Sequence, residues 1–190
     1  TLAVYPTQAL AEHAGMSIDV YADQVIKACF LNRQKPIELW ETIFRKARAI
    51  KKWLNRLPVQ KLHIESENTD LEITPGDQRQ WIGISGHNIP SFEIFVSPDW
   101  RGTRGTFYAD QPTYRSGNLV RQIRVTFDKG EVISATAEEG QDFLRKQLHM
   151  DEGAGRLGEF SLTDKTFSRI NRFMANTLYD ENFGGPQGNC

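Results

Sequence analysis

The chain has 190 residues, enough for one large domain or two small ones with a core that needs no covalent staples. A formal net charge of −1, with 39% hydrophobic and 25% charged residues, excludes disorder, collagen-like repetition and the clustered basic face of a nucleic-acid binder. Only two cysteines are present, Cys29 and Cys190, which make no disulfide framework and no zinc-knuckle spacing, and no apolar run is long enough to span a membrane; a cytoplasmic setting is expected.

The first sixty residues read as helical. Thr7 is placed to cap a short helix over Gln8 to Ala14 that stops at Gly15. Ser17 then caps a second helix, whose stripe is Ile18, Tyr21, Val25, Ile26, Cys29 and Phe30. Pro36 suits the first turn of a third helix, with Ile37, Trp40, Ile43, Phe44, Ala47, Ile50, Trp53, Leu54 and Leu57 repeating every 3.6 residues until Pro58. This helix also carries Arg45, Lys46, Arg48, Lys51, Lys52 and Arg56, read as a solvated face. Leu57-Pro58-Val59 is the expected linker.

From residue 61 the pattern changes to strands. Leu62 to Glu65, Leu71 to Thr74, Trp81 to Ser85 and Phe92 to Ser97 are short β-rich runs between Gly, Pro, Asp and Asn, and Thr106 to Asp110 is another candidate. Leu119 to Phe127 and Glu131 to Ala137 alternate around Asp128-Lys129-Gly130, a hairpin turn in which glycine can take a positive φ. A helix is expected over Glu138 to His149, buried through Phe143, Leu144 and Leu148. A strand at Glu159 to Leu162 and a last helix over Phe167 to Tyr179 follow. The class is α+β: a helical piece over 1–60 and a β-rich piece over 61–190.

Most familiar site patterns are missing. His13, His63, His87 and His149 show no i, i+4 pair and no His-Glu-x-x-His. His63-Ile64-Glu65 lacks the downstream Pro-Cys-x-x-Cys of a zinc deaminase, and on a strand it places His63 and Glu65 on one exposed face. Gly83-Ile84-Ser85-Gly86 is one residue out of register for a serine-hydrolase elbow. The glycine-rich Gly184 to Gly188 lacks the Lys-Ser/Thr of a phosphate loop and reads as a turn. Two glutamates are more informative. On a strand, Phe92, Ile94 and Val96 point one way and Glu93 and Phe95 the other; Glu159 opens a second apolar run. A carboxylate among such neighbours is costly unless a cation or hydrogen bonds compensate it; each glutamate could pair with an arginine, such as Arg156, or lie at an exposed edge, or serve a function. Asp180-Glu181-Asn182 places negative charge at the end of the last expected helix, against its dipole, so a cation or a plain turn is expected there.

Four segments occur in order: Thr69-Asp70-Leu71; Asn88-Ile89-Pro90 through Glu93-Ile94-Phe95 and Ser97-Pro98; Asp151-Glu152-Gly153-Ala154 leading to Arg156-Leu157-Gly158-Glu159; and Asn176-Thr177-Leu178-Tyr179-Asp180-Glu181-Asn182. As an ordered set they resemble the aminopeptidase T and aminopeptidase S family of metallopeptidases. The resemblance implies two divalent metal ions (zinc, cobalt or manganese) in a cytoplasmic homodimer that releases N-terminal amino acids from peptides. It places Glu93 and Glu159 at the glutamate ligand positions; many relatives carry a further glutamate where Phe92 stands. None of the four histidines matches a ligand position, and the family's histidine and aspartate ligands would lie beyond Cys190. With a start at Thr1 and an end at Gly188-Asn189-Cys190, the expectation is an internal fragment: residues 1–60 the helical end of an N-terminal α/β domain, residues 61–190 the first part of the catalytic domain, inactive alone. The rival expectations are a β-rich binding module without metal, and a glycosidase using the two glutamates as acid and base.

Overall fold

A computed structural model describes residues 1–184; Cys190 and the glycine-rich run after Gly184 lie outside the described residues. A short strand, β1 (Leu2–Ala3), precedes helices α1 (Gln8–His13), α2 (Ile18–Ala28) and α3 (Pro36–Leu54). Both expected caps are formed: Thr7 Oγ1 accepts from the Leu10 amide at 3.3 Å and Ser17 Oγ from the Val20 amide at 3.4 Å. Tyr21, Val25 and Ala28 of α2 and Trp40, Ile43 and Ala47 of α3 are buried. The apolar pattern of α3 is wider than its buried stripe, because Ile37 and Trp53 are 74% and 60% exposed.

The remaining elements are β2 (Leu62–Glu65), β3 (Asp70–Thr74), β4 (Ile82–Gly83), β5 (Asn88–Ile89), β6 (Glu93–Val96), β7 (Asp99–Ala109), β8 (Thr113–Arg115), β9 (Asn118–Val120), β10 (Ile123–Asp128), β11 (Glu131–Thr136), α4 (Gln141–Leu148), β12 (Phe160–Thr163) and α5 (Thr177–Asp180). Contacts divide the chain into two compact units. The first is Thr1–Arg56 with Trp81–Phe95 and the chain from Ser161; the second is Leu57–Gln80 with Val96–Phe160.

In the second unit an antiparallel sheet runs β11-β10-β7-β3-β2. Its core is Leu71, Ile73, Val125 and Phe127, the inward residues of β3 and β10 at the two-residue period of a strand. β10 and β11 are joined through Lys129 and Gly130, both at positive φ (50° and 88°), as a two-residue hairpin whose twist matches its strands requires. The expected strand over Leu119 to Phe127 is two strands, broken where Gln122 takes φ 53°. β7 begins at Asp99, seven residues before the expected start, since Gly102 and Gly105 dilute its strand pattern. The helix expected from Glu138 begins at Gln141, because Glu138 and Glu139 still bridge to Arg121.

In the first unit β1 pairs in parallel with β5, and a three-stranded sheet runs β12-β6-β4. The helix expected over Phe167 to Tyr179 does not form; only Thr177–Asp180 is helical. The backbone amides there find side-chain acceptors instead of carbonyls four residues back. Ser168 Oγ accepts from the Ile170 amide at 3.2 Å, and the Asp180 carboxylate accepts from Met174 and Asn176 at 2.7 and 2.9 Å. With Ala175 at φ 49°, a helical path is interrupted, while Phe167, Ile170 and Met174 are still buried. The burial the sequence signals is real, and side-chain capping supplies what helical bonds would have.

Candidate metal centre

Glu93 is the first residue of β6, and the strand alternates as expected. Phe92, Ile94 and Val96 are 1%, 5% and 1% exposed, whereas Glu93 and Phe95 are half-buried on the other face. The residue before Glu93 is held firmly. Phe92 stacks on Trp40 with centroids 5.4 Å apart and planes 12° apart, and meets Phe30 edge-on at 6.1 Å. Its amide donates to Asn182 Oδ1 at 2.5 Å. On the other flank β4 pairs with β6, Gly83 opposite Ile94. Gly83 has φ 111°, and a Cβ there would lie 2.1 Å from the Glu93 carbonyl oxygen, so only glycine allows this approach. The Lys51 ammonium donates to the Gly83 carbonyl, and burial lowers the pKa of that lysine, with Arg48 adding to the effect.

Glu159 immediately precedes β12, the neighbour of β6 in the three-stranded sheet. It is exposed on the surface scale, yet desolvation still raises its pKa, and among the described residues no cation or donor is paired with it. Arg156, the suggested partner, is engaged elsewhere: its Nη2 lies 3.2 Å from Glu131 Oε1 and its guanidinium sits 4.1 Å over the Trp100 ring.

The acidic segment 180–182 has a structural use that sequence reasoning missed. Asp180 ties down two backbone amides, and burial raises its pKa to about 6 against the pull of those bonds and with some help from Glu181. Asn182, 1% exposed, bonds the Phe92 amide and donates through Nδ2 to Leu178 O at 2.8 Å. At the end of α5, the last helix among the described residues, the Asp180 and Asn182 side chains are spent on backbone groups. Nearby, burial pushes the Tyr21 hydroxyl up to about 12, with Asp180 adding to it, and its hydroxyl donates to Met174 O at 3.1 Å.

Among the described residues no group of three or more His, Cys, Asp and Glu side chains is gathered as a metal would need. His63 pairs with Asp70 at 2.8 Å, which raises its pKa, and His149 Nδ1 lies 2.7 Å from Arg145 O. Both His63 and Glu65 are exposed, as the strand reading expects. Each of the two glutamates is a hard oxygen donor of the kind divalent cations prefer.

A family model described as thermophilic metalloprotease (M29) matches residues 1–190. The chain is 30% identical over 177 residues to aminopeptidase AmpS of Bacillus subtilis, covering 87% of this chain and 43% of that protein. It is 30% identical over 169 residues to aminopeptidase T of Thermus aquaticus, covering 83% and 41%. The solved structure of wild-type AmpT from Thermus thermophilus superposes with a TM-score of 0.79 at 27% identity, over 95% of this chain and 48% of that one. The chain therefore spans less than half the length of these relatives.

Proposed function

Taking as premise that the chain belongs to the thermophilic metalloprotease (M29) family, we propose that it is the ligand-bearing part of a metal-dependent aminopeptidase releasing N-terminal amino acids from peptides. Glu93 and Glu159 are the metal-ligating residues in this reading. The observation that carries it is the family match over residues 1–190, with Glu93 half-buried on the face of β6 opposite its packed residues. Two divalent ions, when bound, supply an activated water and polarise the scissile carbonyl. What this chain contributes is negative charge at fixed positions: Glu93 by the clamped start of β6, Glu159 by the start of β12.

Two carboxylates do not complete a dinuclear site, which needs several ligands per ion. None of His13, His63, His87 and His149 matches a family ligand position. The histidine and aspartate ligands would come from the part of the relatives' length that this chain does not cover, and the chain alone is inactive. The division into residues 1–60 and 61–190 refers to that longer protein, as do its homodimeric state and cytoplasmic setting. Among the described residues no helix is long and apolar enough to cross a membrane.

The test is metal content and leucine-arylamide hydrolysis, side by side, for this chain and for a form extended to the length of its relatives. Only the extended form is expected to bind about two metal ions and cleave, and a chelator should abolish the cleavage. An extended form that is inert with every divalent metal would favour the binding-module reading; cleavage of glycosides without metal would favour the glycosidase.

A further inference from the structure

β6 is only four residues long and lies between the two-residue β4 and the four-residue β12, and Phe92 stands just before its first residue. The amide of Phe92 precedes the ladder. Buried and without a strand partner, such a group must be met by a side chain or be left at a cost. Asn182 meets it. Its side-chain carbonyl accepts from the Phe92 amide at 2.5 Å, its Nδ2 donates to Leu178 O at 2.8 Å, and its own backbone carbonyl accepts from Ser168 Oγ at 2.5 Å. The amide orientation is fixed by its surroundings, since a backbone donor faces one end and a backbone acceptor the other.

We propose that Asn182 is a positioning residue for Glu93: it fixes the start of β6, and so the point from which the Glu93 carboxylate projects, by joining the segment 176–182 to the Phe92 amide. This rests on the reading of Glu93 as a metal ligand. Three restraints converge on Glu93 within the first compact unit. Asn182 holds the peptide before it, Trp40 and Phe30 hold the Phe92 ring, and Gly83 packs against its carbonyl. Of these only Asn182 is a directional bond from a distant segment, 90 residues away in sequence. No other residue type does the same work. Aspartate would set a carboxylate oxygen against Leu178 O, and alanine would leave a buried amide and a buried carbonyl both unpaired.

The experiment measures binding of zinc alone by titration calorimetry, with the thermal midpoint, in the protein carried to the full length of its relatives. The variants are Glu93→Gln, Asn182→Ala, Ser168→Ala and Val25→Ala, the last a buried α2 side chain that makes none of these hydrogen bonds. Asn182→Ala should weaken zinc binding by about tenfold, the lower end of what loss of an outer-shell support brings. Ser168→Ala, which frees the Asn182 carbonyl and the Ile170 amide but leaves the bond from the Phe92 amide to Asn182 in place, should weaken it less. Val25→Ala should lower the midpoint with unchanged zinc affinity. Asn182→Ala that lowers the midpoint yet binds zinc as the unsubstituted protein does would overturn the proposal. Should Asn182→Ala not fold, Ser168→Ala decides: unchanged affinity refutes, a loss supports. Glu93→Gln separates the two layers, because wild-type zinc stoichiometry and affinity there sink the metal reading and this proposal with it, whereas a loss there beside intact Asn182→Ala sinks this proposal alone.

Discussion

Replacing Asp180 by asparagine isolates the most strongly perturbed carboxylate in the first compact unit. Burial raises its pKa from 3.8 to about 6 in the folded chain, so the folded state binds the proton more tightly than the unfolded state does. The sign of the linkage follows: stability associated with this group is fully present below pH 3.8 and is lost as pH rises through about 6. The two values differ by about two pH units, which corresponds to about 3 kcal/mol between acid and neutral pH. Asp99 and Asp164 act in the opposite direction, because Arg101 and Thr166 hold their pKa values below the ordinary carboxylate value. The wild-type profile is therefore mixed, and the useful quantity is the difference between wild type and Asp180→Asn. Urea unfolding from pH 4 to pH 7.5 should show wild type losing about 2–3 kcal/mol relative to the variant, with the loss spread between about pH 4 and pH 6 and little further change above that. A difference that does not vary with pH, or that grows in favour of wild type as pH rises, refutes the argument.

Phe92→Ala removes a fully buried ring packed against Trp40 and Phe30 and should cost about 3–5 kcal/mol in denaturant unfolding; a cost below about 1 kcal/mol would mean that the aromatic cluster is not holding β6. Gly83→Ala forces a Cβ to within 2.1 Å of the Glu93 carbonyl at φ 111°, so the thermal midpoint should fall clearly, and wild-type stability would show that β4 does not approach β6 this closely. Ser17→Ala removes the cap of α2 and should lower stability by about 1 kcal/mol, checked by chemical denaturation, with no effect expected if the Val20 amide is served by solvent.

Elements with their own local signals were legible in the sequence. Thr7, Ser17 and Pro36 announce helix starts because capping needs only a residue and its next turn. Leu62–Glu65 and the Lys129-Gly130 hairpin were legible for the same reason. The segment 167–180 was not. Its apolar spacing is helical, but the acceptors that hold Met174 and Asn176 belong to Asp180, and a carboxylate reaching back to amides six and four residues earlier leaves no mark in a hydrophobic pattern. Gln122 and Ile84 at positive φ break expected strands for a related reason, since tertiary packing can impose a backbone state that composition disfavours.

The candidate site shows the same division between local and distant causes. Alternation along Phe92 to Val96 correctly separates the face that packs from the face that carries Glu93. Nothing local says what holds that strand in place. Its supports are Trp40 from α3, Gly83 from β4 and Asn182 from the segment after α5, three places that the sequence separates by 43 and 99 residues. A short strand with a carboxylate at its first position has too few ladder bonds to fix that carboxylate, so the fixing must come from elsewhere in the chain. The Asn176-to-Asn182 segment, which sequence comparison treats as a label, is on this argument part of the machinery. Its Asp180 and Asn182 side chains are spent on backbone groups, and the one that reaches the start of β6 is Asn182.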